Sequence, residues 1–201
     1  MRSTFKWGGI AASVILILFG IGSIGASIWG IHYTRDQLKL EQITGTPDMT
    51  PDAIKAEAQQ AGLTNVDFPT CSVAGEKVDT GSEAKCFASY MRIHTLLSTG
   101  GQVYAEMPRF LDKSGKPTND EAQAAKDPAT GAPVQNHARD IWVTYTALST
   151  ALNTSYFAES VGVFGIIMGI ALLLVGIGFL ILVLGGLAQT KEAAEKPVPE
   201  A

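Results

Sequence analysis

The sequence predicts a mainly α fold: a membrane helical hairpin of two long transmembrane helices with an inserted, disulfide-tied, mostly helical extracytoplasmic domain. Three observations lead there. Residues 8–31 and 161–187 carry no charged side chain, although the 201-residue chain has 15 Lys/Arg and 19 Asp/Glu elsewhere. Basic residues flank both stretches on their terminal sides: Arg2 and Lys6 before the first, Lys191 and Lys196 after the second. The two cysteines of the chain, Cys71 and Cys86, both fall in the segment between.

The charge-free stretches are long for a soluble helix. At 1.5 Å per residue they extend about 36 and 40 Å, against about 30 Å of hydrocarbon in a bilayer. A cleaved signal peptide is the alternative for residues 8–31, with Arg2 and Lys6 as its basic start and Gly25 and Ala26 as small residues near its end. Its apolar run exceeds the usual ~7–15 residues of a signal core, however. Trp29 and Tyr33 also stand where interfacial aromatics anchor a retained helix.

Positive charge tends to stay on the cytoplasmic side, so both termini are expected in the cytoplasm of a plasma-membrane protein. Arg35 and Lys39 weaken the asymmetry at the first span; at the second, the nearest basic residue on the other side is Arg139. The resulting division is a cytoplasmic N-terminus 1–7, a first span 8–31, an extracytoplasmic domain 32–160, a second span 161–187 and a disordered cytoplasmic tail 188–201. The domain has 11 Lys/Arg and 16 Asp/Glu, a net of −5. No basic patch interleaved with aromatics is present, so membrane lipid is an expected partner and nucleic acid is not.

That placement bears on the cysteines. An oxidising compartment favours a disulfide between Cys71 and Cys86, which have no other thiol to pair with. The competing readings are a redox-active pair and two metal ligands. The first usually takes a CxxC spacing, and the second needs two further ligands that the sequence does not mark.

Within the domain, no Gly or Pro interrupts the chain from Ile31 to Gly45, so the first helix is expected to continue outward. Thr50-Pro51 is a helix start that runs to Gly62, with a weak apolar face. Ser82 is the expected cap of a second helix, on which Cys86, Tyr90, Ile93 and Leu97 share one face. Residues 102–110 read as a short strand that Pro108 confines to an edge. Residues 111–136 read as a mobile, turn-rich excursion with a helical turn or two around Asp120–Lys126. From His137 to Val161 there is no Gly or Pro, and Trp142, Tyr145, Leu148, Leu152 and Tyr156 recur at three- and four-residue steps. This is an amphipathic helix that runs on into the second span. Tyr90, Met91, Ile93, Leu96, Leu97, Trp142, Tyr145 and Leu152 form either a small core or a face for another protein.

Helices in lipid associate through small residues. Gly22, Ala26 and Gly30 line the first span, and Gly162, Gly165 and Gly169 the second, at matching depth in an antiparallel hairpin. They form an intramolecular seam or, alternatively, a contact with a partner protein or a second copy. The polar side chains of the two spans are Ser13, Ser23 and Ser27, too few for an ion pathway.

Catalytic patterns are missing. HExxH, GxSxG and a phosphate-cradling glycine loop outside the spans do not occur. His94, His137 and Glu106 offer the ingredients of a two-His-one-carboxylate site, though no spacing requires it. No cofactor is expected. Asn153-Thr154-Ser155 has the form of a glycosylation sequon and is read as chance.

Residues 46–110, TPDMTPDAIKAEAQQAGLTNVDFPTCSVAGEKVDTGSEAKCFASYMRIHTLLSTGGQVYAEMPRF, and 140–165, DIWVTYTALSTALNTSYFAESVGVFG, resemble a family of small two-span membrane proteins from actinobacteria. The likeness covers nearly the whole chain. It implies the same topology and an actinobacterial cell envelope. Some members carry the label aromatic ring-opening dioxygenase, but no active-site motif carries across residue by residue. The expected function is therefore that of a non-enzymatic accessory or scaffold subunit, with Trp142, Tyr145 and Tyr156 as partner contacts. The alternative is an envelope redox or metal-dependent enzyme using Cys71 and Cys86 or a site of another kind.

Overall fold

A computed structural model describes residues 2–64 and 66–195, with side chains from Lys6 to Gly185. Four helices carry the chain: α1 (Arg2–Leu40), α2 (Pro51–Gln60), α3 (Gly81–Ser98) and α4 (His137–Glu195). One two-stranded antiparallel sheet, β1 (Phe110–Leu111) with β2 (Pro117–Thr118), lies between α3 and α4. The chain divides into two compact units, residues 1–33 with 158–201 and residues 34–157.

In the first unit, the apolar parts of α1 and α4 pack against each other in opposite chain order. Gly9 meets Val183, Gly20 meets Gly169 and Leu173, and Gly162 meets Ile31 and Ser27. Ser23 Oγ donates 2.8 Å to Gly165 O, a hydrogen bond from one helix to the other. Gly162, Gly165 and Gly169 all lie on this contact. The expected stripe on α1 does not: Gly22 and Ala26 are exposed, and a Cβ at Gly22 or Gly30 would meet nothing within 4 Å. The seam on α1 runs instead through Ile17, Gly20, Ser23, Ile24, Ser27 and Ile31. The steps of three and four residues are the same, but the stripe is one residue out of register, and about 100° per residue turns it onto another face. Among the described residues, two helical segments are long and apolar enough to cross a membrane, Lys6–Leu40 and His137–Gly185. In the most apolar window of each only 11% of residues are buried, unlike the core helix of a soluble protein.

The second unit is built around α3. Thr80 caps it, not Ser82: the Thr80 hydroxyl accepts from Glu83 N–H while the Glu83 carboxylate accepts from Thr80 N–H. This reciprocal box needs a Glu three residues after the cap, which Thr80 has. One face of α3 buries Cys86, Tyr90 and Ile93 against Met49, Ile54, Ala58 and Val73. The adjoining face buries Ala84 and Ala88 against Leu38 at the end of α1, Val78 and Leu152 of α4. Phe87 packs against both clusters.

Helix α2 begins as expected, with Thr50 Oγ1 accepting from Ala53 N–H and Pro51 at the first helical position. Gly62 ends it in the left-handed region, at φ +72°. The Cys71–Cys86 disulfide forms, with 6.1 Å between the Cα atoms, and ties the irregular segment before Val73 to the second turn of α3. Tyr90 Oη donates 2.6 Å to Cys71 O beside it, and burial raises the Tyr90 pKa above its ordinary value.

Residues 102–136 differ from expectation. Residues 102–109 make turns instead of a strand, and residues 120–126 hold no helix. The excursion is a hydrogen-bonded set of turns organised by short side chains. Asp112 Oδ1 accepts from Ser114 N–H, Ser114 Oγ and Lys116 N–H. Asp127 Oδ1 accepts from Ala129 N–H, Thr130 N–H and Thr130 Oγ1. These donors hold both carboxyls below the usual range, with the Ser114 hydroxyl foremost at Asp112 and the Thr130 N–H foremost at Asp127. Asn136 closes the excursion: its Nδ2 donates to Pro108 O and its Oδ1 accepts from Ala138 N–H at the start of α4. Helix α4 is continuous to Glu195, beyond residue 188 where the tail was expected to begin. Lys196 and the rest of 196–201 lie outside the described residues, as do the side chains of Arg2 and Lys191.

Two outcomes test this packing. Cys71→Ser should lower stability to denaturant in detergent by about 3 kcal/mol, the value for a loop of this length; unchanged stability would show that the bond constrains nothing. A Cβ at Gly169 would lie 2.6 Å from Ile24 Cγ1 and 2.8 Å from Gly20 O. Gly169→Leu should therefore cost about 1–3 kcal/mol through overpacking, and Gly22→Leu less than about 0.5 kcal/mol. Equal losses of melting temperature in the two variants would contradict the seam.

Candidate functional site

Three regions of the second unit carry chemistry or exposed contact surface. The first is the disulfide. Cys86 is buried in the core, Cys71 is exposed, and the chain has no free thiol. The bond is packed from inside by the cluster that holds Tyr90, Ile54 and Val73.

The second region is the outer part of α4. Trp142 and Tyr145 are half-buried and pack edge to face, with ring centroids 5.5 Å apart. Trp142 lines an open, largely apolar groove with Tyr104, Val143, Thr146, Ala147 and Thr150. Arg139 fixes one wall: its guanidinium stacks 3.9 Å from the Tyr104 ring centroid and donates 2.6 Å to Met107 O. Tyr156 is engaged within the chain. Lys85 Nζ lies 4.4 Å from its ring centroid, and α3 starts so close to it that a Cβ on Gly81 would lie 2.8 Å from Tyr156 Cα. Of the eight apolar residues expected to form a core or a face, Tyr90, Ile93, Leu96 and Leu152 are buried, Met91 and Leu97 pack against the clusters, and Trp142 and Tyr145 stay half-open. Leu148, from the same stripe, is 46% exposed.

The third region joins Asp48, Glu57 and His94. Each offers an atom able to ligate a metal ion, and these atoms all lie within 4.8 Å of one another. Asp48 sits in the turn before α2, Glu57 on α2 and His94 on α3, so the convergence follows from α2 packing on α3. His94 Nε2 is 2.9 Å from Asp48 Oδ2. The nitrogen is buried, and the approach lacks the alignment of a hydrogen bond. The Thr46 hydroxyl is the main cause of a lowered Asp48 pKa, assisted by a backbone N–H and by His94.

The combination of His94, His137 and Glu106 is not what the fold brings together. His137 Nδ1 lies 3.3 Å from Asp140 Oδ2, and Glu106 Oε2 accepts from Val103 N–H. His94 finds its carboxylates at Asp48 and Glu57 instead. Sequence spacing gave no sign of this group, because its members lie 9 and 37 positions apart on separate elements. No family model, curated protein or solved structure matches the chain.

Proposed function

We propose that this chain is an integral protein of the plasma membrane that acts as a non-enzymatic accessory or scaffold subunit. In this reading α1 and α4 cross the bilayer with both termini in the cytoplasm. Residues 34–157 stand on the outer side, where a disulfide is stable. The first unit's apolar surface then faces lipid or the spans of a partner, and its glycine contacts hold the two helices together. The resemblance to two-span actinobacterial proteins supports the same arrangement and an actinobacterial envelope.

The observation that carries the partner reading is the groove along Trp142, Tyr104, Val143 and Ala147. A domain with an otherwise closed small core leaves these side chains at its surface. Aromatic anchors of this kind dominate the energetics of protein contacts. Tyr145 stiffens the anchor through its edge-to-face contact with Trp142. Tyr156, occupied by Lys85 and α3, supports the domain and is not an anchor. A redox role for Cys71 and Cys86 is disfavoured by the burial of Cys86 in the core.

Extraction in mild detergent should yield the chain with a stoichiometric membrane-protein companion. Trp142→Ala should weaken the association by about 2 kcal/mol, near thirtyfold, while leaving the melting temperature of the domain within a few degrees. A chain that emerges alone and monomeric, or an association indifferent to Trp142→Ala, would refute the reading.

A further inference from the structure

We propose that Asp48, Glu57 and His94 form a divalent transition-metal site, of the zinc class, that clamps α2 and the turn before it onto α3. The inference is independent of any partner of the domain, because it concerns three side chains of the second unit alone.

The first argument is convergence. The three candidate ligand atoms come from three separate elements and lie within 4.8 Å of one another. Around a tetrahedral zinc with bonds of about 2.0–2.2 Å, ligand atoms stand roughly 3.3 Å apart. His94 and Asp48 are already closer than that, at 2.9 Å. Binding would move that pair slightly apart and draw in Glu57, a half-buried side chain with three rotatable bonds.

The second argument is electrostatic. Asp48 and Glu57 set two carboxylates against one imidazole, and one imidazole cannot balance both. The Glu57 carboxylate makes no hydrogen bond or ion pair among the described residues. His94 Nε2 is buried and lies 2.9 Å from Asp48 Oδ2, without the alignment of a hydrogen bond. A cation between the three would relieve the carboxylate repulsion and use the nitrogen at the same time.

The third argument concerns which cation. An imidazole in the set favours zinc and its neighbours over magnesium or calcium, which prefer all-oxygen shells. With three protein ligands, a water or an incoming group completes the shell.

The test uses the full-length chain without a polyhistidine tag, purified in detergent and stripped with EDTA. Zinc chloride followed by calorimetry should show about one equivalent bound per chain and a raised melting temperature, which magnesium chloride at the same concentration should not produce. Glu57→Gln and His94→Gln should each weaken zinc binding at least tenfold. Glu57→Gln keeps size and polarity at a half-buried position, so it serves as the folded control. Cobalt(II) added to the unmodified chain should give a visible absorption band that zinc abolishes, a readout that needs no variant. Absence of stoichiometric zinc binding by the unmodified chain would overturn the proposal. So would zinc binding of unchanged affinity in a folded Glu57→Gln variant.

Discussion

The link between Cys71 and Cys86 is the constraint on which the second unit depends. The residues before Val73 have no regular structure to hold them, and α2 is only ten residues long with two buried side chains, Ile54 and Ala58. An isolated helix of that length is not stable in water. The disulfide brings this segment onto the second turn of α3, and Tyr90 adds a hydrogen bond to the carbonyl of Cys71 itself. Met49, Ile54 and Val73 then have a surface to bury against. The closeness of Gly45 to Val73 completes the arrangement: a side chain at Gly45 would collide with the Val73 carbonyl. The backbone bond from Val78 N–H to Ile43 O closes the same region from the other side.

The parts of this fold that were legible in the sequence are those set by local chemistry or by long runs. Two charge-free stretches specify apolar helices whatever surrounds them, because the backbone must bond to itself where water is excluded. The Thr50-Pro51 start and the stop at Gly62 are short-range signals of the same reliability. At the start of α3 the expected cap Ser82 is displaced by Thr80, which has Glu83 three positions on. The turns of residues 111–136 were less legible because their geometry does not come from an apolar pattern. It comes from Asp112, Asp127 and Asn136 bonding to nearby backbone, a mechanism that resembles flexible composition when read as a string of turn formers.

Contacts between distant segments were less legible. Small residues on the first apolar stretch occur on more than one face, so composition could not choose between the Gly22 stripe and the Gly20 stripe. The choice is made by the partner helix: Gly169 and Gly165 admit the Gly20, Ile24 and Ser27 side of α1. The same holds for Asp48, Glu57 and His94. Each is unremarkable where it stands in the chain, and the group exists because α2 packs beside α3.

The polar side chains of the apolar stretches bear on the choice between accessory subunit and transporter. Ser13 Oγ donates 2.8 Å to Gly9 O within its own helix, and Ser23 Oγ donates to Gly165 O across the seam. Ser27 lies against Gly165 on the same contact. The Ser13 and Ser23 hydroxyls are thus bonded to helix backbone, and an interhelical bond of the Ser23 kind contributes about 0.6 kcal/mol or a little more in lipid. An ion or proton path would need groups free to exchange partners along the span. The Ser23 bond across the seam holds one helix to the other instead, which accords with the accessory-subunit reading proposed above.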